Sequence, residues 1–226
     1  MLVEPVRFSS QEQGAMEHLL ARSSLLIQNA LSIVDHPLFD DSQRILASAN
    51  ACDLTLQHGH GLRTLLDRGH RVSAPAMLRC QFEAMVRSLW ILYCADDDQV
   101  ALMMAAELVE SLAGQKLPMA GDMLKALSKV PQASHPNSLL QEFRQSGWNA
   151  MNSYVHGGVH ALHRLREGFP EELAVSVLKL SNGLSMLAAM HLAILIGRGA
   201  LQKSLIQLHE GYGECLPIKD VAPPAV

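Results

Sequence analysis

A charged pair interrupts an apolar stretch near residue 80. Arg79 and Glu83 are four residues apart, so on a helix their side chains lie on one face, within reach of each other. Two interpretations are open. The pair is either exposed, where it contributes under about 1 kcal/mol, or buried among neighbours such as Ala76, Met77 and Cys80. A buried pair would require a structural or functional reason.

The second candidate region is residues 148–163, which read WNAMNSYVHGGVHALH. If this stretch forms one helix, its four polar side chains Asn152, His156, His160 and His163 fall within an arc of about 80°. Imidazoles on one face can bind a metal, transfer protons or contact phosphate. No nearby carboxylate or cysteine completes a metal-ligand set, so we expect no metal. We interpret His160 and His163 as surface residues.

His156 is a stronger candidate than the other two histidines. It precedes Gly157 and Gly158, which weaken a helix and leave room for another backbone or a ligand. Polar faces that meet inside a helical bundle satisfy one another's hydrogen bonds. We therefore predict that His156 converges with Arg79 and Glu83 in one site, although more than seventy residues separate them in sequence.

Helical signals recur along the chain, whereas no stretch shows sustained alternation of apolar and polar residues. A capping box at Ser9 and Glu12 predicts the first helix, and Gly147 is a point at which the sixth can divide. The predicted helices cover approximately residues 9–34, 41–68, 73–95, 96–114, 119–130, 135–168, 170–196 and 199–209. The pattern predicts an all-α fold.

The composition permits a hydrophobic core of useful size. Of the 226 residues, 49% are hydrophobic and 18% charged, so the chain can fold without disulfides or a bound metal. Short connections between the helices favour antiparallel neighbours. We predict a single antiparallel bundle of about six to eight helices over residues 1–215, followed by a flexible, proline-containing tail at residues 216–226.

Several classes of function and location are disfavoured. The chain has no P-loop, G-x-G-x-x-G, G-x-S-x-G or H-E-x-x-H motif. The N-terminus does not resemble a signal peptide, and the most apolar stretch, residues 183–197, is too short to span a bilayer. Four cysteines without a C-x-x-C pair predict reduced thiols in the cytoplasm. A net charge of −4 leaves room only for a local basic patch. We expect no cofactor and no membrane association.

Two segments together carry a family resemblance. Residues 76–84 (AMLRCQFEA) and 152–158 (NSYVHGG) resemble a group of uncharacterised bacterial all-helical proteins, in which a helix with R-x-x-x-E precedes a helix with a Val-His pair. The similarity covers most of residues 45–195. These proteins more distantly resemble the HEPN superfamily of α-helical bundles. That superfamily includes dimeric, metal-independent ribonucleases of toxin–antitoxin and phage-defence systems, and also many non-catalytic members.

The HEPN signature is an arginine, a polar residue and a histidine, which the resemblance matches only in part. Asn152 and His156 fit the polar residue and the histidine, whereas Met151 occupies the arginine position. As an enzyme, the protein would use His156 as general acid and base, Arg79 as the cation, and Asn152 and Glu83 to orient them. Otherwise these residues form a buried polar network in a non-catalytic module that binds a protein or small ligand. The resemblance implies a homodimer, with RNA or an antitoxin-like protein as partner.

Overall fold

The computed structural model describes residues 10–105 and 117–217. Within these ranges the chain is helical and has no strand, which confirms the predicted all-α bundle. Nine α-helices are present in the described residues: α1 Ser10–Ile33, α2 Gln43–Asp67, α3 Ala74–Tyr93, α4 Asp97–Met104, α5 Ala120–Leu127, α6 Ser134–Val155, α7 Val159–Glu167, α8 Glu171–Ile196 and α9 Gly199–Glu210. The HEPN-like arrangement remains a prediction.

The helix boundaries depart from the predicted ones at two places. Gly147 does not divide α6, which continues to Val155 and ends only before Gly157, so the helices number nine rather than six to eight. The fourth helix ends at Met104 because Ala105 adopts an extended conformation, earlier than the predicted end near residue 114. Residues 106–116 lie outside the described residues, as does Ser9 of the predicted capping box.

Helix α3 forms the centre of the bundle. It runs antiparallel to α2, packs on α5, α6 and α8, and is buried on most sides. Phe82, Met85 and Leu89 are almost fully inaccessible, and Trp90 is only 3% exposed. The helix is therefore buried on most sides, whereas the Arg79–Glu83 pair itself is only partly buried.

The residues at several turns and helix ends suit the backbone conformation found there. Gly69 between α2 and α3 and Gly197 after α8 have φ values of 78° and 74°, the left-handed region that glycine tolerates best. Asp96 caps α4 reciprocally: its carboxylate accepts the Gln99 N–H at 2.8 Å, and the Gln99 side chain accepts the Asp96 N–H at 3.0 Å. Pro170 precedes the first turn of α8, as the sequence predicts.

A hydroxyl cluster, defined as Ser48, Cys52, Ser88 and His191, connects α2, α3 and α8. Ser48 Oγ donates to the Ser88 carbonyl at 2.9 Å, and Ser88 Oγ donates to the Ser48 carbonyl at 2.8 Å. Ser48 Oγ also lies 3.0 Å from His191 Nε2, and Ser88 Oγ lies 3.1 Å from Cys52 Sγ. Since both hydroxyl protons are used, the neutral imidazole carries its proton on Nε2.

A glutamine cluster, defined as Gln81, Ser181 and Ser185, lies between α3 and α8. Gln81 Nε2 donates to the Ser181 carbonyl and to Ser185 Oγ, each at 3.0 Å, while Ser181 Oγ donates to Gln81 Oε1 at 2.7 Å. All three side chains are buried. A Cβ at Gly59 would lie 2.7 Å from Gln81 Nε2, so α2 approaches this cluster closely only because it has glycine there.

Helix α8 and the end of the chain bear on two predictions, the absence of a membrane span and a flexible tail at residues 216–226. Among the described residues α8 alone is long and apolar enough to cross a membrane, but 56% of its apolar window is buried, consistent with the core helix of a soluble protein. Leu216, the first residue of the predicted tail, is buried at 2% exposure. Residues 218–226 lie outside the described residues, so flexibility there remains a prediction.

Candidate functional site

Three of the four predicted site residues lie together where α3 meets α6. Arg79 Nε donates to Asn152 Oδ1 at 3.1 Å, and its guanidinium forms an ion pair with Glu83 one helical turn later. The Arg79 side chain is 13% exposed and that of Glu83 is 37% exposed. The pair therefore lies at the edge of the bundle, where water reaches the carboxylate more easily than the guanidinium.

Trp148 is the fourth member of this group, and the sequence analysis did not select it. The guanidinium carbon of Arg79 lies 3.6 Å from the centre of the Trp148 ring, a close cation–π contact. Phe82 packs edge-on against the same ring at 5.6 Å. Trp148 precedes Asn152 by four residues on α6, a spacing that could have identified it. We call Arg79, Glu83, Trp148 and Asn152 the Arg79 clamp.

His156 does not belong to the clamp, so the predicted convergence with Arg79 and Glu83 is wrong for this residue. Its backbone N–H donates to the Asn152 carbonyl at 3.0 Å, which ends α6. The side chain is exposed and makes no hydrogen bond or ion pair with the described residues. The side chain therefore lies one turn after Asn152 but forms no bond to Arg79 or Glu83.

The two glycines after His156 serve the turn of the chain itself. Gly157 has φ of 63°, and a Cβ on Gly158 would lie 2.7 Å from Ser153 Oγ. Ser153 Oγ accepts the His160 N–H at 2.9 Å as α7 begins. The predicted single helix over residues 148–163 is therefore wrong, and the arc of four polar side chains does not form. His163 is exposed, as interpreted from the sequence.

A polar cleft of about 360 Å³, the α6 cleft, opens beside the clamp and is lined by residues 144–150 and His160. The guanidinium carbon of Arg144 lies 5.1 Å from the centre of the Trp148 ring. Arg144 packs against Gly121, where a Cβ would be 3.1 Å from its Nη2, and it pairs with no carboxylate in the described residues.

Charge is distributed unevenly around this cleft. Residues 143–167 contain three arginines, three histidines and a single acidic residue, Glu167, whereas the whole chain has a net charge of −4. This is the local basic patch that the overall charge left open. Arg144 and His160 line the cleft from two helices, His156 lies between these helices, and the remaining three basic residues follow on α7.

Other reactive groups give no second site of this kind. No group of three or more His, Cys, Asp or Glu side chains in the described residues could hold a metal ion. All four cysteines are free thiols. Burial raises the pKa of the Cys52 thiol to about 12, and its Ser88 contact opposes this only in part, so it is a poor nucleophile at neutral pH.

One comparison with known proteins gives a match. The profile of a family of unknown function (DUF6988) matches residues 52–218, which include the Arg79 clamp and the α6 cleft. No curated protein and no solved structure matches the chain. The match provides no link to the HEPN superfamily. The chain belongs to this family of unknown function, DUF6988.

Proposed function

We propose that this protein is a non-catalytic helical module that binds RNA in the α6 cleft, with the Arg79 clamp holding α6 against α3. The observation that supports this proposal is the engagement of Arg79. Its guanidinium is bound by Asn152, paired with Glu83 and covered by Trp148. A HEPN-type ribonuclease needs a cation free to stabilise negative charge beside its histidine, and Arg79 is not free.

The lining of the cleft fits a single-stranded RNA segment. Arg144 supplies a cation for a phosphate, and Gln145 and Asn149 supply amides that can pair with base edges. His160 adds a ring that can stack on a base. An electrostatic contribution of this kind weakens with salt, and a chain of net charge −4 relies on its local basic residues for it.

Fluorescence anisotropy with a labelled single-stranded RNA of about twelve nucleotides tests the proposal at low salt. Arg144→Gln should weaken binding by about five- to tenfold, because it removes a cation but keeps an amide of similar reach. Arg68→Gln is the matched control, since Arg68 is exposed and lies outside the cleft. Equal losses in both variants, or no binding by the wild-type protein, would contradict the proposal.

A metal-independent ribonuclease of the toxin or phage-defence type is the second candidate. One observation favours it: His156 is exposed one turn after Asn152, which itself contacts Arg79. His156 would then act as general acid and base, with Asn152 and Glu83 as orienting residues. Cleavage of the same RNA by the wild-type protein, abolished in a folded His156→Ala variant, would replace the binding proposal with this one.

We further propose that the protein works as a homodimer in the cytoplasm. Three large apolar side chains on α7, Val159, Leu162 and Leu165, are 80%, 62% and 50% exposed. A second copy, or an antitoxin-like protein, would remove them from water. Light scattering should give about twice the chain mass of 24.7 kDa, and Leu162→Glu should give the monomer. A monomeric wild-type protein would exclude the homodimer.

The proposed location in the cytoplasm is supported by the four free thiols, which suit a reducing compartment.

A further inference from the structure

A second cavity, the α6–α8 pocket, lies on the side of α6 that faces α3 and α8. Its wall is almost entirely apolar and includes Leu78, Phe143, Met151, Leu173, Val177 and Leu180. The cavity measures about 50 Å³, room for roughly three to five water-sized groups. A site with this lining does not bind a small inorganic ion, but it accepts a short hydrocarbon chain.

At the Tyr154 end of this pocket, the proton of one buried hydroxyl has no acceptor among the described residues, and a guanidinium lies beside it. Tyr154 lines the pocket and is 8% exposed, and its buried Oη makes no hydrogen bond. Arg164 lies beside the hydroxyl and forms no ion pair with the described residues. Burial raises the pKa of Tyr154 and Arg164 opposes it, with a net rise, so the hydroxyl remains a donor at neutral pH.

Gly147 is an independent sign that the space is used. It lies inside α6, where glycine weakens a helix, and no neighbour requires it. A Cβ there would meet its nearest heavy atom, the Met151 methyl carbon, at 3.6 Å, an ordinary contact. Gly147 lines both this pocket and the α6 cleft, so its missing side chain leaves room on the pocket side as well as on the cleft side.

We propose that the α6–α8 pocket binds a small aliphatic monocarboxylate, with its chain among the apolar side chains and its carboxylate at the Tyr154 hydroxyl and the Arg164 guanidinium. The planar guanidinium and the phenol together offer donors to both oxygens of one carboxylate. The volume fits a chain of about three to five carbons. This proposal does not rest on RNA binding in the α6 cleft.

The test is an NMR titration of the isotope-labelled protein with straight-chain carboxylates from butanoate to octanoate, and with pentanamide as the uncharged analogue. Affinity should rise with chain length up to about pentanoate or hexanoate and then level off, because the pocket is full. Pentanamide should bind at least about tenfold more weakly than pentanoate, since it cannot form the charge-assisted hydrogen bonds. Equal binding of acid and amide, or a rise that continues through octanoate, would overturn the proposal.

Three variants locate the ligand. Arg164→Gln should weaken pentanoate binding at least about tenfold, whereas Arg166→Gln, which alters an exposed arginine on the same helix that pairs with Glu167, should change it less than about twofold. Gly147→Ala should weaken binding while raising the melting temperature, so unfolding cannot explain the loss. If the wild-type protein does not respond to millimolar pentanoate, the pocket is an empty packing defect. If the pocket signals shift with protein concentration when no ligand is present, a second copy of the chain covers the pocket. Either result overturns the proposal but leaves the RNA test unaffected.

Discussion

Helix α3 carries polar groups on two sides, and the two sides differ in charge. The side facing α2 and α8 carries the neutral hydroxyl and glutamine clusters, with Ser48, Gln81 and Ser88 at 0% exposure. The side facing α6 carries the charged Arg79 clamp, whose ion-paired side chains are 13% and 37% exposed. Removing an ion from water costs far more than removing a hydroxyl that remains hydrogen-bonded. Between these two clusters and the clamp, charge is therefore confined to the side of α3 that water reaches.

The neutral side also fixes how α2 lies along α3. Each of Ser48 and Ser88 donates to the other's carbonyl, at 2.9 and 2.8 Å, and a shift of one residue would break both bonds. Leaving a buried donor unpaired costs about 1–3 kcal/mol. The inner clusters thus select one register of the core, whereas the outer clamp joins one further helix to it. The following predictions test this division.

The largest expected effect is the response of the inner side to acid. Burial lowers the pKa of His191 to about 4 from its usual 6.5, and the backbone of Ser88 opposes this only weakly. The folded state therefore binds fewer protons than the unfolded state between these values. Stability should be complete above pH 6.5 and fall as the pH is lowered to about 4. The loss should approach about 3 kcal/mol.

Urea unfolding across this pH range measures the effect, with His191→Asn as the comparison. The variant keeps a hydrogen-bonding side chain but has no group that titrates there, so its free energy of unfolding should depend less on pH than that of the wild-type protein. The slope is the relevant quantity, because the smaller side chain lowers stability at every pH. Parallel curves for the two proteins would show that His191 is not the buried titrating group.

The second-largest expected effect on stability concerns the contact between α2 and the glutamine cluster. In Gly59→Ala the new methyl group would lie 2.7 Å from Gln81 Nε2 and 2.8 Å from Ser185 Oγ. Overpacking of this kind should cost about 2 kcal/mol, measured by urea unfolding. Gly61→Ala is the matched control on the same helix, since its nearest neighbour, Met77 Sδ, is 4.0 Å away. That change should stabilise by up to about 1 kcal/mol. Equal effects at the two positions would contradict the close packing.

These two regions also differ in how far the sequence predicts them. The pairing of Arg79 with Glu83 follows from helical spacing alone, and the apolar residues around them predict burial of α3. The hydroxyl cluster could not be predicted, because Ser48, Ser88 and His191 lie on three helices whose mutual register is set by packing. A serine in a helix has the same local signature whether it faces water or a partner helix.

The end of α6 was mispredicted for a local reason. Helical periodicity continues formally through residues 148–163, but the Gly157–Gly158 step adopts a turn that periodicity does not register. The turn separates His160 and His163 on α7 from Asn152 on α6. Conversely, Gly147 adopts helical conformation although glycine disfavours it, because α6 packs against α3 and α5.

On the outer side, Arg79→Ala should destabilise the protein by about 1–2 kcal/mol. It removes the hydrogen bond to Asn152 and the cation over Trp148, and leaves the Asn152 amide without its partner. Arg79→Lys should recover only part of the loss, since an ammonium lacks the planar stacking surface. A double-mutant cycle with Asn152→Ala in urea unfolding should show coupling of about 1 kcal/mol. Additive effects would mean that the clamp does not hold α3 to α6.

The smallest expected effect is that of His156→Ala, which defines where the clamp ends. The side chain is exposed and has no partner among the described residues, so its removal should change the free energy of unfolding by less than about 0.5 kcal/mol. The change should also add to that of Glu83→Ala in the double variant, because residues without a shared partner do not couple. Glu83→Ala itself should cost under about 1 kcal/mol, since its partly exposed carboxylate is solvated. Coupling above about 0.5 kcal/mol between His156→Ala and Glu83→Ala would mean that His156 interacts with the Arg79 clamp. That result would favour the ribonuclease candidate over RNA binding without catalysis.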